Sequence, residues 1–154
     1  MMKVMTLAEE AVTVAPAVED DGASVLGLLR ACALPVDGVE EGLLRDFFVA
    51  HVDHDIAGVC GLEVHGPDAL LRSLAVDPRW RGRGVAEALL AAALARGRRE
   101  RLQDVYLLTT TAHDYFARRG FADCARGEAP AAIRDSWEFR TGCPTSSSLM
   151  RRRL

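Results

Sequence analysis

The chain has 154 residues, of which 49% are hydrophobic and 27% charged, and its net charge is −3. This length predicts one domain with a core of its own, and the acidic balance argues against a general nucleic-acid-binding protein. No run of 18 apolar residues and no leader-like start is present, so we expect neither a membrane protein nor a secreted one. The cysteines lack C-x-x-C spacing, which predicts no disulfide framework and no metal site and indicates a reducing cytoplasm. They are Cys32, Cys60, Cys124 and Cys143.

Apolar spacing, capping residues and turn signals predict the elements in chain order. They are a ragged start at 1–10, a strand at Ala11–Ala15, a helix from Asp20 or Asp21 to Pro35, a short helix at Val39–Leu44, strands at Asp46–Val52, Ile56–His65 and Ala69–Val76, a helix at Arg83–Arg96, a strand at Asp104–Thr109 and a helix at Ala112–Arg119. We interpret Arg151–Arg153 as the end of a charged tail. The order β-α-α-β-β-β-α-β-α-β, with a final strand after the last helix, predicts a single α/β or α+β domain over 11–154, with a mixed sheet and helices on both faces.

The segment Arg79–Ala86 follows a predicted strand and opens a predicted helix. Glycine at 82 and 84 lets the backbone approach a phosphate, and the helix N-terminus favours anions. The chain has no Gly-Lys pair, which excludes a P-loop, and Glu87 replaces the third glycine of a dinucleotide fingerprint. The loop therefore predicts a cradle for pyrophosphate.

Arg79, Gly82 and Gly84 fit the pattern R/Q-x-x-G-x-G/A, directly after an L-x-V strand. This arrangement resembles motif A of the GNAT N-acetyltransferases, and the order of the elements is similar to theirs. The resemblance implies a mixed, mostly antiparallel sheet and acetyl-CoA as co-substrate. The coenzyme contacts that we expect are Leu74, Ala75, Val76, Arg79, Arg81, Gly82, Arg83, Gly84, Val85 and Ala86.

Residues 115–121 are similar to the GNAT segment F-Y-x-x-x-G-F, but the aromatic pair is reversed. Phe116 stands where the family often has a tyrosine that acts as general acid, and phenylalanine cannot donate a proton. Tyr115 is an alternative donor, although a turn of about 100° along a helix directs it elsewhere, and packing is its other interpretation. We assign Phe116 and Arg118 to the coenzyme site on the same resemblance.

A narrower resemblance links the second half of the chain to the GNAT branch found in arsenic-resistance operons. It rests on residues 70–76, on residues 106–112, and on Glu138-Phe139 followed by Cys143-Pro144 and Met150. A related branch acetylates the amino group of glutamate analogues. The implied acceptor is a small-molecule amine such as an amino-acid analogue, and the oligomeric state, a homodimer included, stays open.

Strand alternation assigns Arg72, Leu74 and Val76 to one face and Ser73 and Ala75 to the other. The backbone at 74 and 76 is expected to pair with the pantetheine arm. Arg72 is the candidate to bind an acceptor carboxylate, with a surface salt bridge as the alternative. Ser73 is a candidate to hydrogen-bond the substrate.

Glu63 is the first candidate for the general base and for an acceptor contact, with His65 as its rival. Thr109, with Thr110 and Thr111, is a candidate to line the acetyl pocket. Arg134 and Arg140 have both a solvated and an acceptor-binding interpretation.

The predicted function is acetyl transfer to an amine by direct attack on the thioester. A non-catalytic acyl-CoA sensor of the same fold is the alternative, because the tyrosine is missing at 116. A third and weaker alternative is an arsenical-binding protein that uses Cys143.

Overall fold

The computed structural model describes residues 11–36, 39, 43–142 and 146–154. Seven strands form one sheet in the order β1-β2-β3-β4-β5-β7-β6. The strands are β1 Val12–Pro16, β2 Phe47–Val52, β3 Asp55–His65, β4 Asp68–Val76, β5 Asp104–Thr109, β6 Ala122–Asp123 and β7 Ser148–Arg153. The helices are α1 Gly22–Ala31, α2 Val85–Arg99, α3 His113–Ala117 and α4 Ala131–Arg134. Since β4 and β5 are parallel while β1–β2, β5–β7 and β6–β7 are antiparallel, the predicted mixed sheet is confirmed.

The described residues separate into two compact units. The first combines the residues up to 60 with 73–92, and the second combines 61–72 with 93–154. Neither unit is a separate stretch of chain, because β3, β4 and α2 each contribute residues to both. The single domain predicted for 11–154 stays a prediction.

In the first unit, α1 packs on the sheet through an apolar stripe. Val25, Leu28 and Leu29 are buried in one cluster with Phe47 of β2 and Val59 of β3. Their spacing of three and four residues puts them on one face of the helix. Burial of this stripe therefore fixes α1, as the sequence periodicity predicts.

The opposite face of the same sheet is covered by α2. Neighbouring strand residues point to opposite faces, so Gly58 points away from the α1 cluster that contains Val59. A Cβ on Gly58 would lie 2.9 Å from side-chain atoms of Val85 and Leu89, both on α2, and 2.9 Å from the carbonyl oxygen of Ala75. Helices on both faces are thus confirmed within this unit.

Replacing Gly58 by alanine should lower the free energy of unfolding by about 1–3 kcal/mol, because the added methyl overpacks the contact between β3 and α2. Urea unfolding followed by circular dichroism measures the change. Gly27→Ala in α1 is the control, since a Cβ there meets nothing within 4 Å and should stabilise the helix by about 0.5–1 kcal/mol. Equal stability of Gly58→Ala and the parent protein would contradict the tight packing.

In the second unit, β7 lies between β5 and β6, which corrects the prediction of a charged tail at Arg151–Arg153. The ladder runs from Asp104↔Arg153 to Thr109↔Ser148, and β6 pairs on the other side through Ala122↔Arg151. Leu149 and Met150 are buried, Arg151 and Arg153 are exposed, and Arg152 is half-buried with its Nη1 donating to the Arg119 carbonyl at 2.6 Å. A basic run and an interior strand therefore coexist, and the charge of the run conceals its pairing.

Ser73 corrects the predicted alternation along β4. Its φ of +57° is left-handed, although its neighbours belong to an extended strand. A left-handed residue in a strand interrupts the pleat in the manner of a bulge. The period of two that grouped Arg72 with Leu74 and Val76 therefore does not continue through position 73.

The first helix begins near the predicted residue, but the predicted side-chain cap is replaced by a different hydrogen bond. Asp21 stands at the N-cap, yet its Oδ2 accepts a hydrogen bond from the Val18 amide at 2.8 Å and no side-chain cap forms. The helix ends at Ala31, before the predicted Pro35. The predicted helix at Val39–Leu44 lies partly outside the described residues, and Leu43–Asp46 is a 3₁₀ turn.

Candidate functional site

The loop between β4 and α2 has an open backbone at its two glycines. Gly82 has φ +77° and Gly84 has φ +81°, a region that side chains with a Cβ rarely adopt. A Cβ on Gly82 would meet nothing within 4 Å, and one on Gly84 would meet only Glu87 Oε1 at 4.0 Å. Residues 81–84 are exposed, so their main chain is accessible to a ligand.

The N-terminus of α2 continues this surface. The helix begins at Val85, and the Ala88 amide donates to the Gly84 carbonyl at 3.0 Å. The first amides of an α-helix have no carbonyl partner inside the helix, and the helix dipole makes this end positive. The loop and the helix end together form a surface that suits an anion.

Asp77, which the sequence analysis did not single out, organises the start of the loop. Its Oδ1 accepts from the Arg79 amide at 2.9 Å and caps the turn at Pro78–Trp80. The Arg79 guanidinium also lies 3.1 Å from Oδ2, and hydrogen bonds from Arg79 hold the pKa of Asp77 below its ordinary value. Aspartate followed by proline at the first helical position is the local signal that predicts such a cap.

The other two arginines of the loop also have local partners. Arg81 donates from Nε to the Val76 carbonyl at 3.2 Å and from Nη2 to Cys32 Sγ at 4.0 Å. The Arg83 guanidinium lies 5.2 Å from the centre of the Trp80 ring. Each of the three arginines is thus held close to the loop by contacts within the protein.

The end of β4 precedes this loop. Ala75 is buried in the α1 cluster, so only its backbone can contact a ligand, while Leu74 and Val76 are half-buried. Val85 is buried and Ala86 half-buried at the start of α2. Coenzyme contacts at these positions stay a prediction.

A buried ion-pair cluster lies in the second unit. Arg72 Nη1 donates to Glu63 Oε2 at 2.8 Å, and Arg72 Nε lies 3.2 Å from Glu138 Oε2. The Arg72 side chain is only 2% exposed, against 9% for Glu138 and 17% for Glu63. The surface salt bridge considered for Arg72 is therefore a buried one, with two carboxylates for one guanidinium.

Glu63 joins this cluster to His65. The Nε2 atom of His65 lies 3.2 Å from Glu63 Oε1, and the His65 side chain is 24% exposed. Burial acts to raise the pKa of Glu63, but hydrogen bonds and charge from His65 and Arg72 outweigh it and leave that pKa below its ordinary value. The Glu63 carboxylate is thus stabilised in its ionised form. This favours a role in holding Arg72 and His65 over a role in accepting a proton.

Glu138 is a member of the cluster that sequence reasoning missed. It begins the π-helical turn Glu138–Gly142 and is far along the chain from Arg72. No local spacing links the two residues, so only the fold brings them together. The proposed binding of an acceptor carboxylate by Arg72 stays a prediction, with Glu63 and Glu138 already in contact with the guanidinium.

The aromatic residues of α3 pack against one another. Phe116 is buried, with its ring centre 5.2 Å from that of Tyr115 and 5.6 Å from that of Phe121. The Arg119 guanidinium lies 3.7 Å from the centre of the Tyr115 ring, and Arg118 is exposed. These contacts favour the packing interpretation of Tyr115 and leave the coenzyme roles of Phe116 and Arg118 as predictions.

Two separate polar contacts lie at the end of β5 and at the start of α3, and the one made by His113 was not predicted. Thr109 Oγ1 accepts from the Ala112 amide at 3.0 Å, which closes the turn into α3. His113 Nε2 lies 2.8 Å from Asp123 Oδ1, and hydrogen bonds to Asp123 and Asp114 raise the pKa of His113. Thr109 as an acceptor contact stays a prediction.

A family model described as the acetyltransferase (GNAT) domain matches residues 44–123, which is more than half of the chain. The chain belongs to the GNAT acetyltransferase family. A curated relative, named as an uncharacterized N-acetyltransferase of Chlorobaculum tepidum, is 31% identical over 102 residues, 66% of this chain and 63% of the relative.

Solved structures share the fold of this GNAT protein. N-acetylglutamate synthase from Neisseria gonorrhoeae, complexed with coenzyme A and N-acetyl-glutamate, superposes with a TM-score of 0.84 at 23% identity, covering 95% of this chain and 36% of that chain. Rv2747 from Mycobacterium tuberculosis, in complex with CoA, has a TM-score of 0.80 at 24% identity, covering 92% and 99%. The chain thus spans about a third of the synthase and under two thirds of the curated relative. The likeness establishes the fold.

Several other residues considered in the sequence analysis are not part of the loop or of the ion-pair cluster described above. Arg134 and Arg140 are exposed, in line with their solvated interpretation. Cys143 lies outside the described residues. Among the cysteines that are described, Cys32, Cys60 and Cys124 form no disulfide bond, and burial raises the pKa of Cys60 to about 12.

In the described part of the chain, no helix is both long and apolar enough to cross a bilayer. Over 11–36, 39, 43–142 and 146–154, no three His, Cys, Asp or Glu side chains come together as a metal-binding group.

Proposed function

We propose that this protein is an acetyl-CoA-dependent N-acetyltransferase that acts on the amine of a small molecule. The observation that carries the proposal is the open main chain at Gly82 and Gly84, directly before the N-terminus of α2. Membership of the GNAT family and the likeness to CoA-complexed structures support it. The coenzyme diphosphate is the anion that this loop would hold.

Arg79, Arg81 and Arg83 would add charge to that contact. Arg81 Nε donates to the Val76 carbonyl, which is one of the backbone groups proposed to pair with the pantetheine arm. A carbonyl oxygen can accept two hydrogen bonds, so this contact leaves room for a second donor. The proposed roles of Leu74 and Ala75 are likewise through their backbone.

The reaction is direct attack of the amine nitrogen on the thioester carbonyl carbon. A nitrogen–carbon bond forms, the carbon–sulfur bond breaks, the amine loses a proton and the coenzyme thiolate gains one. Positioning alone supplies effective molarities of about 10⁵–10⁸ M, so much of the rate needs no special side chain. Glu63 stays the first candidate to take the amine proton, with His65 as its rival.

The acceptor that we propose is an amino-acid analogue, as the resemblance to the arsenic-resistance branch suggests. An α-amine with a pKa of about 8 is roughly one-tenth neutral at pH 7, whereas a lysine amine at about 10.4 is almost fully charged. Arg72 is the proposed contact for the acceptor's carboxylate, and Thr109 and Ser73 are further candidate contacts. A reducing cytoplasm stays the expected compartment.

Two measurements test the transferase. Titration calorimetry with acetyl-CoA should give a dissociation constant below 1 mM, and a thiol assay with a panel of small amines should detect coenzyme A release. The absence of binding heat at millimolar acetyl-CoA would overturn the proposal. Binding without turnover on any amine would instead favour the acyl-CoA sensor, for which Phe116 in the place of a tyrosine is the supporting observation.

A further inference from the structure

We propose that Arg81 is a positioning residue of the loop between β4 and α2, and that it supports acetyl-CoA binding through its hydrogen bond to the Val76 carbonyl rather than through its charge. This inference rests on the proposed binding of the coenzyme diphosphate and refines the role given there to Arg81. All the residues that carry it belong to the first unit.

The Arg81 guanidinium lies at the ends of two secondary-structure elements. Its Nε donates at 3.2 Å to the carbonyl of Val76, the last residue of β4. Its Nη2 lies 4.0 Å from the Sγ atom of Cys32, the C-cap residue of α1, and that thiol lies 3.9 Å from the Val76 carbonyl oxygen. A thiol is a weak donor and a weak acceptor, whereas a guanidinium is a charged donor. The contact between Arg81 and Val76 is therefore the strongest of the three.

This contact fixes the point at which the loop leaves its ordered start. The Asp77 amide donates to the Ala57 carbonyl at 2.8 Å, and the Trp80 amide donates to the Asp77 carbonyl at 2.8 Å. The backbone of Arg81 is extended, with φ −67° and ψ 151°, and leads directly into the left-handed Gly82. The side chain of Arg81 thus ties the beginning of the glycine segment back to the end of β4.

Such a tie affects a ligand of the glycine segment. Glycine has more backbone conformations to lose than any other residue, so ordering the segment around a diphosphate is costly. A ligand that binds one loop conformation loses apparent affinity in proportion to the fraction of molecules in other conformations. Loss of one net hydrogen bond lowers the population of the ordered loop by up to about 10-fold.

Arg83 differs from Arg81 in the kind of contact that holds it. Its guanidinium lies 5.2 Å from the centre of the Trp80 ring. A cation–π contact uses the positive charge and takes no hydrogen-bond acceptor, so it is compatible with N–H donation to an anion. Arg83 is therefore the loop arginine with which the charge of Arg81 can be compared.

Glutamine and lysine substitutions separate positioning from charge. Glutamine carries its amide nitrogen the same number of bonds from the backbone as arginine carries Nε, so Arg81→Gln can keep the hydrogen bond to Val76 without the charge. Lysine has a methylene group at that place and keeps the charge one atom further out. In titration calorimetry, Arg81→Gln should bind acetyl-CoA within about threefold of the parent, whereas Arg81→Lys and Arg81→Ala should bind about 10-fold more weakly.

The same substitutions at position 83 are the matched control. There the order should be reversed, with Arg83→Lys closer to the parent than Arg83→Gln, because charge is the property that Arg83 supplies. Tighter binding by Arg81→Lys than by Arg81→Gln would show that Arg81 acts by charge and would overturn the inference. Equal affinities of the three Arg81 variants, whether weak or like the parent, would overturn it as well. Absence of binding by the parent protein would instead overturn the proposed coenzyme site.

A measurement without ligand tests the contact itself. The ¹³C chemical shift of the Val76 carbonyl reports on hydrogen bonds to its oxygen. In the absence of acetyl-CoA, this shift should change in Arg81→Lys and Arg81→Ala and stay close to that of the parent in Arg81→Gln. An unchanged shift in Arg81→Lys would overturn the inference whatever the affinities show.

Discussion

Valine in place of Gly82 or Gly84 should weaken acetyl-CoA binding by about 100-fold or more, which corresponds to about 2.7 kcal/mol. Both glycines have left-handed φ angles, where a β-branched residue is strained. The new side chain would also occupy the space over the main chain, which is open in this structure. A phosphate could then no longer approach the backbone amides.

Gly66→Val is the control that separates strain from loss of the ligand surface. Gly66 also has a positive φ, +65°, and a Cβ there also meets nothing within 4 Å, but it lies in the turn between β3 and β4. All three variants should lose comparable stability in thermal unfolding, whereas calorimetry should find reduced acetyl-CoA affinity only for Gly82→Val and Gly84→Val. Unchanged acetyl-CoA affinity in both loop variants would contradict the proposal that this loop binds the coenzyme diphosphate.

The glycine-containing loop between β4 and α2 could be predicted from the sequence because its signals are local. Two glycines two residues apart, a preceding strand and a following Ala/Leu-rich helix are all read within one short segment, and the structure has each of them in place. The partners of the arginines were less accessible. Arg79 binds Asp77, and Arg81 binds the Val76 carbonyl. Both contacts depend on the backbone conformation of the turn, which cannot be predicted from the residue types alone.

The buried ion-pair cluster could be predicted only in part from the sequence. Alternation paired Glu63 with His65 correctly, because both lie on one face of β3. Arg72 was placed by the same rule, but the left-handed Ser73 interrupts β4 immediately after it. Glu138 reaches Arg72 from a distant turn. A contact between such distant residues is decided by tertiary packing, for which a single sequence carries no spacing signal.

The prediction for the end of the chain was wrong for a related reason. Arg151–Arg153 has the composition of a solvated tail, yet it completes the sheet beside β5. Backbone hydrogen bonds form the ladder, and they are indifferent to the charge of side chains that point outward. Strand pairing between segments far apart in sequence is therefore the part of this fold that composition conceals.

Arg72→Ala should be the most destabilising single substitution in the cluster, with a loss of about 3–5 kcal/mol in the free energy of unfolding at pH 7. It leaves the carboxylates of Glu63 and Glu138 buried without their shared guanidinium. Urea unfolding measures the loss. Arg79→Ala is the control, because that side chain is 67% exposed and solvent screens its ion pair with Asp77, so its removal should change the free energy of unfolding far less.

The pH dependence of this loss distinguishes charge from packing. The folded protein lowers the pKa of Glu63 below its ordinary 4.5, so the ion pair stabilises the parent above that pH, and this stability is lost as the pH falls through the lowered pKa. In Arg72→Ala, burial without the guanidinium favours the protonated carboxyl, and acid neutralises the stranded charges. The difference between parent and variant should therefore shrink from pH 7 to pH 4. A difference that stays constant over this range would show that Arg72 acts by filling space, and the electrostatic account of the cluster would be wrong.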